Sequence, residues 1–201
     1  GGLHVVALVG GVQGAYGSAM HRLEYTPRGG EAHAVSLADE KLPTFFATPA
    51  IAVDDDRRRI WIAYVRGGRD ATWDLVIAAS RDGGATWTRT ALGDGCALHA
   101  VPALAVDPAT GLLHATFYDT NAMPGRYAHA TCALGATPSC IVRGALSGPP
   151  GPRFATFDLG RGGPHSLGEH AALAITGRAL DAYWTQPLAD GLYVMHARGK
   201  L

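Results

Sequence analysis

Glu169 and His170, in SLGEHAALA, put a carboxylate beside an imidazole, a pairing that can bind hydroxyl groups or move a proton. His99 in CALHAV and Arg126 in PGRYAHA add a second imidazole and a guanidinium. These four residues suit polyhydroxylated or anionic ligands better than apolar ones. His99, His165 and His170 with Glu169 lack the tight spacing of a metal site such as HExxH, so no metal and no other cofactor is expected. Arg66 and Arg69 are further cations that could face a ligand, and Trp73, Tyr118, Tyr127 and Trp184 can stack on flat rings or pack between strands.

These side chains need a scaffold, and composition bounds it. The 201 residues are 47% hydrophobic, enough to bury the core of one domain spanning 1–201. Seventeen basic residues balance seventeen acidic ones, so no global field recruits nucleic acid or an anionic membrane surface. No apolar run reaches the roughly 18 residues that a membrane span needs. The chain opens on GGLHVVALVG, which already reads as a strand, and is expected to be part of a longer polypeptide.

One pattern recurs along it. TPAIAVDDDRRRIWIAYV at 48–65 matches VPALAVDPATGLLHATFYD at 101–119, with Ile60 and Leu113 at equivalent places 53 residues apart. HAALAITGRALDAYW at 170–184 is a third copy, and the opening LHVVAL is the second half of a fourth. Each copy continues into a further strand (AYGSAMHRLEY, WDLVIAAS, GRYAHATC, GLYVMHAR) and then a weaker edge strand such as TRTAL at 88–92 or FATFDL at 154–159. Short β-branched and aromatic runs between Gly, Pro and Asp clusters, without sustained 3.6-residue periodicity, predict an all-β chain. Four antiparallel strands per repeat is the unit of a β-propeller blade. The expectation is about four blades, the outer two incomplete, at approximately 1–40, 41–97, 98–162 and 163–201. His4, Trp61, His114 and Asp181 share one strand position and His129 and His196 another, which reads as solvated or inter-blade sites.

SRDGGATW at 80–87 resembles the Asp-box of the sialidase superfamily, Ser-x-Asp-x-Gly-x-Thr-Trp, also called the BNR repeat. Ser80, Asp82, Gly84, Thr86 and Trp87 match every position, in the hairpin between the third and fourth strands of a repeat. The resemblance implies a sialidase-like propeller in which this turn is a structural staple on the rim opposite the ligand face. SLGEHAALA is similar to a Gly-acid-aromatic segment of exported propellers of that kind, with Glu169 as the acid and His170 as the ring. Sialidases themselves carry an Arg-Ile-Pro segment, three arginines, an Asp acid/base and a Tyr nucleophile paired with Glu; this chain contains no Arg-Ile-Pro.

Aligning LVIAASRDGGATW with YAHATCALGATPSC places Cys132 at Ser80 and Cys140 at or just past Trp87, so a disulfide can replace the box there. Two free thiols or a metal pair are the alternatives. A bonded pair implies an oxidising compartment, hence a secreted, periplasmic or cell-surface location, and leaves Cys96 over. The run DDDRRR at 54–59 reads as a solvated turn. Two functions stay open: an exported, non-catalytic propeller recognising a glycan or protein at its central mouth, or a sialidase or other glycoside hydrolase whose catalytic residues lie partly outside this chain. Either way, further blades or another chain are expected to close the ring.

Overall fold

The computed structural model describes residues 3–10, 19–20, 22–27, 29–43, 48–67, 73–93, 99–119, 126–146, 170–188 and 191–201. Every regular element among them is a β-strand. In chain order these are β1 (Val5–Val9), β2 (Ala19–Met20), β3 (Arg22–Thr26), β4 (His33–Ala34), β5 (Leu42–Pro43), β6 (Ala50–Asp54), β7 (Arg59–Gly67) and β8 (Trp73–Ser80). They continue as β9 (Thr88–Leu92), β10 (His99–Val106), β11 (Leu113–Asp119), β12 (Arg126–Leu134), β13 (Pro138–Ala145), β14 (Ala172–Thr176), β15 (Ala179–Leu188) and β16 (Gly191–Lys200).

Four antiparallel sheets form in chain order: β1-β3-β4, β6-β7-β8-β9, β10-β11-β12-β13 and β14-β15-β16, with β2 and β5 pairing separately. The alternation of each strand decides how the sheets pack. Along β7, Ile60, Ile62 and Tyr64 point into a core shared with Leu23, Tyr25 and Val35 of the first sheet's segment. Trp61 and Ala63 point the other way, into a core shared with Leu113, Ala115 and Phe117 of β11. A strand covered on both faces needs apolar residues at every position, and Ile60 through Val65 are all buried. The third core joins Tyr118 and Tyr127 to Leu180, Ala182 and Trp184, so the third sheet is likewise covered on both sides. Burying each large side chain fully contributes about 1.5–3 kcal/mol, and the three cores hold successive sheets face to face.

Two strand assignments are corrected. AYGSAMHRLEY is not one strand: Ala19–Met20 pairs with Leu42–Pro43, while Arg22–Thr26 pairs with β1. The fourth strand of the third sheet is β13, immediately after the hairpin, rather than FATFDL, which lies outside the described residues. The hairpin is too short to need a distant strand, and Cys132 faces Cys140 directly in its register. Cys96 also lies outside the described residues. No helix among the described residues is long and apolar enough to cross a membrane.

Candidate functional site

In the second sheet Arg66 faces Asp74 at one end of the β7–β8 pair and Ile60 faces Ser80 at the other. The third sheet repeats this order, with Asp119 facing Arg126 at one end and Leu113 facing Cys132 at the other. Polar chemistry gathers at the first of these ends. Arg66 Nη2 donates to Asp74 Oδ2 at 3.1 Å, and its Nη1 lies 3.5 Å from Glu40 Oε1. Arg126 donates to Asp119 Oδ2 through Nε at 3.0 Å, with Nη2 at 2.9 Å. On the other side of that carboxylate, His99 Nε2 lies 3.6 Å from Oδ1.

Gly93 joins the two groups. A Cβ there would stand 3.0 Å from Asp74 Oδ1 and 3.1 Å from His99 Cε1, so only a glycine lets the two sheets' polar ends approach, and its φ of +140° suits one. A continuous row results, from Glu40 through Arg66, Asp74, Gly93 and His99 to Asp119 and Arg126. The side chains of Glu40, Asp74, His99 and Asp119 are 5–7% exposed, whereas Arg66 and Arg126 are 33% and 37% exposed. Carboxylates taken out of water this far are held by their cations.

The backbone beside His99 is strained. β10 carries a bulge between Ala100 and Ala103, and Val101 inside it has φ +49°, an unfavourable region for a β-branched residue. Val101 is buried in the third core with Tyr118, Tyr127 and Trp184, which holds it there. Bulges turn side chains relative to their strand, and this one sets His99 edge-on to Phe117 with ring centroids 5.0 Å apart. His99 Nδ1 is buried with no hydrogen-bond partner among the described residues.

Tyr64 donates its hydroxyl to Glu40 Oε2 at 2.7 Å. Burial, reinforced by Glu40, pushes that phenol well above its ordinary range. A fully buried phenol that holds its proton this firmly is a hydrogen-bond donor and not a nucleophile.

At the opposite end stand two hairpins. Ser80 Oγ donates to Asp82 Oδ1 at 2.7 Å and accepts from Gly84 N at 2.8 Å. Thr86 donates its amide to Asp82 Oδ1 at 2.9 Å and its hydroxyl to Oδ2 at 2.6 Å. The Thr86 hydroxyl and amide, then the Ser80 hydroxyl, hold the Asp82 carboxyl well below the usual range. Gly84, at φ +98°, lies under the Tyr25 ring, and Trp87 meets Tyr25 edge-on at 5.4 Å. This hairpin thereby clamps the first sheet to the second. Arg81 reaches the other way, donating to the Leu134 and Gly135 carbonyls of the next hairpin. There the Cys132 and Cys140 sulfurs are 2.06 Å apart, in a bonded pair. Arg57 adds a contact at this end, binding Asp54 and the Pro108 carbonyl, so DDDRRR is partly an inter-sheet tie and not wholly solvated.

The repeated polar positions pair within their own sheets, and His4 also reaches the next sheet as an inter-blade site would, its Nε2 3.8 Å from Asp55 Oδ1 in the β6–β7 turn. His4 Nδ1 lies 2.7 Å from the Tyr25 hydroxyl, His114 Nδ1 lies 3.0 Å from His129 Nε2, and His196 Nε2 lies 2.9 Å from Asp181 Oδ1. Each pair is diagonal across two adjacent strands.

Of the residues singled out from sequence, His99 and Arg126 come together on Asp119. His170 is exposed just before β14 and makes no hydrogen bond or ion pair among the described residues, and Glu169 lies outside them. Sequence reasoning missed Glu40, Asp74 and Asp119. The signal was available for Asp119, which stands 53 residues after Arg66, the same interval as Leu113 after Ile60. A cleft beside Thr176, Arg178, Arg198 and Lys200 opens at the turn end of the fourth sheet. Its three cations are exposed, so it is a solvated edge rather than an organised site. No protein-family model matches the chain, and no curated protein matches it.

Proposed function

We propose that the chain is an arc of a sialidase-like β-propeller that recognises a glycan or another polar ligand at the strand ends bearing the Glu40–Arg126 row. The observation that carries this reading is the row itself. Buried carboxylates, half-exposed guanidiniums and a histidine aimed by a strained bulge converge at one end of two sheets. The opposite end holds the clamped hairpins. Strained backbone beside a polar cluster is where binding sites concentrate. Four sheets of three or four antiparallel strands, each packed on the next, support the propeller reading. The hydrogen bonds of Ser80 and Thr86 to Asp82 support the Asp-box resemblance. The disulfide favours an oxidising compartment and thus an exported protein. Recognition is preferred over glycoside hydrolysis because the one Tyr–Glu pair described, Tyr64 with Glu40, is locked in the core.

A glycan array probed with the folded chain tests this. Binding to a subset of glycans, lost in His99→Ala with the fold retained, is the expected result; binding to none, or binding indifferent to that change, refutes it.

A further inference from the structure

The geometry points to an uncharged, hydroxyl-rich ligand for this site and against one bearing a carboxylate, an inference that rests on the recognition reading above. Among the described residues the row holds three carboxylates, Glu40, Asp74 and Asp119, against two guanidiniums, Arg66 and Arg126. Both guanidiniums are already engaged. A ligand carboxylate would have to share Arg66 with Asp74 and Glu40, or Arg126 with Asp119. That would set a second negative charge beside a carboxylate of 6% or 7% exposure, which is unfavourable where water screens little. The surplus of buried negative charge also repels an incoming anion.

A hydroxyl meets no such conflict. One hydroxyl accepts from a guanidinium N–H and donates to a carboxylate oxygen at once, leaving the ion pair in place. The two pairs present these edges in opposite order, because the cation is on β7 in one sheet and on β12 in the next. Neighbouring hydroxyls of a sugar ring, each both donor and acceptor, match such an alternating edge. His99 supplies the independent sign of a missing polar partner. Its side chain is 6% exposed, its Nδ1 has no partner among the described residues, and it lies between Asp119 and Gly93. Imidazole accepts or donates according to its tautomer, which again favours a hydroxyl.

Calorimetric titration tests the inference with two neutral sugars, lactose and cellobiose, and two acidic ones, N-acetylneuraminic acid and glucuronic acid. The wild-type chain is expected to bind a neutral sugar at least about tenfold more tightly than either acid. Asp119→Asn keeps the shape but releases Arg126, and should narrow that preference by about tenfold or more. Asp74→Asn releases Arg66 in the same sense and serves if the first variant does not fold. Equal or tighter binding of an acidic sugar by the wild type overturns the inference while leaving recognition standing. So does a preference unchanged in both folded variants. Binding of none of the four sugars by the folded chain overturns the recognition reading, and this inference with it.

Discussion

Arg66 and Asp119 occupy the same place in successive sheets with opposite charge. Each is directly opposed to its countercharge on the next strand, Arg66 to Asp74 and Asp119 to Arg126. The second and third sheets both hold an ion pair at this register, in opposite directions, so they meet with an alternating edge of donors and acceptors. In the fourth sheet the same register holds Gln186 opposite Tyr193.

Reversing a pair tests whether direction or only pairing matters to the fold. Asp119→Arg and Arg126→Asp alone each set like charges side by side and should destabilise by about 2 kcal/mol. Combined, they should regain more than half of the summed loss in urea denaturation, since the pair is restored in the orientation of its neighbour. Additive losses would show that the pairing contributes nothing.

Gly93→Ala is expected to cost about 1–3 kcal/mol and to weaken ligand binding together with stability. The added methyl meets Asp74 and His99 at about 3 Å from a backbone of φ +140°. A variant as stable as the wild type would mean that the two sheet ends part freely.

The hairpin end should respond differently. Trp87→Ala removes a ring packed on Tyr25 and is expected to destabilise by about 2–3 kcal/mol while the folded protein still binds ligand. Cys132→Ser opens the bonded pair separated by 8 residues and should cost about 2–3 kcal/mol in the chain-entropy account. Loss of binding in the folded Trp87 variant would move the site to this rim.

Acid should act through His114 and His129, whose rings stack 5.2 Å apart and share a hydrogen bond. Burial, then His114 and Arg143, push His129 down to about 4. Burial and Arg143 lower His114, against the pull of Asp107. Both titrate near 6.5 when unfolded. A base whose folded value lies below its unfolded one supports folding only while neutral. The contribution is therefore complete above about pH 6.5 and is lost as pH falls towards about 4. Discounted for the partial exposure of His129, the expected loss between pH 7 and 4.5 is about 1–2 kcal/mol. His129→Phe should flatten that slope in urea titrations, and an unchanged slope would assign the acid sensitivity elsewhere.

Strand identity was open to sequence reasoning wherever alternation and turn chemistry agreed. WDLVIAAS and TRTAL correspond to β8 and β9 residue for residue, because Gly83 and Gly84 mark the turn between them and both faces of β8 are apolar. Pairing of Cys132 with Cys140 followed from aligning one hairpin on the next. Reading failed where the chain leaves the repeat: β2 and β5 are two-residue strands with no periodicity to detect. The site was visible only in part, since His99 and Arg126 stand out as residue types but the carboxylate between them does not. Asp119 looks like one more loop acid until its register opposite both is known.

Backbone amide shifts followed during titration with a neutral disaccharide test the central claim most directly. The account predicts perturbations centred on Arg66, Asp74, His99, Asp119 and Arg126, with the Ser80–Trp87 and Cys132–Cys140 hairpins unmoved. Perturbations centred on either hairpin, or spread evenly without a centre at that row, would contradict it.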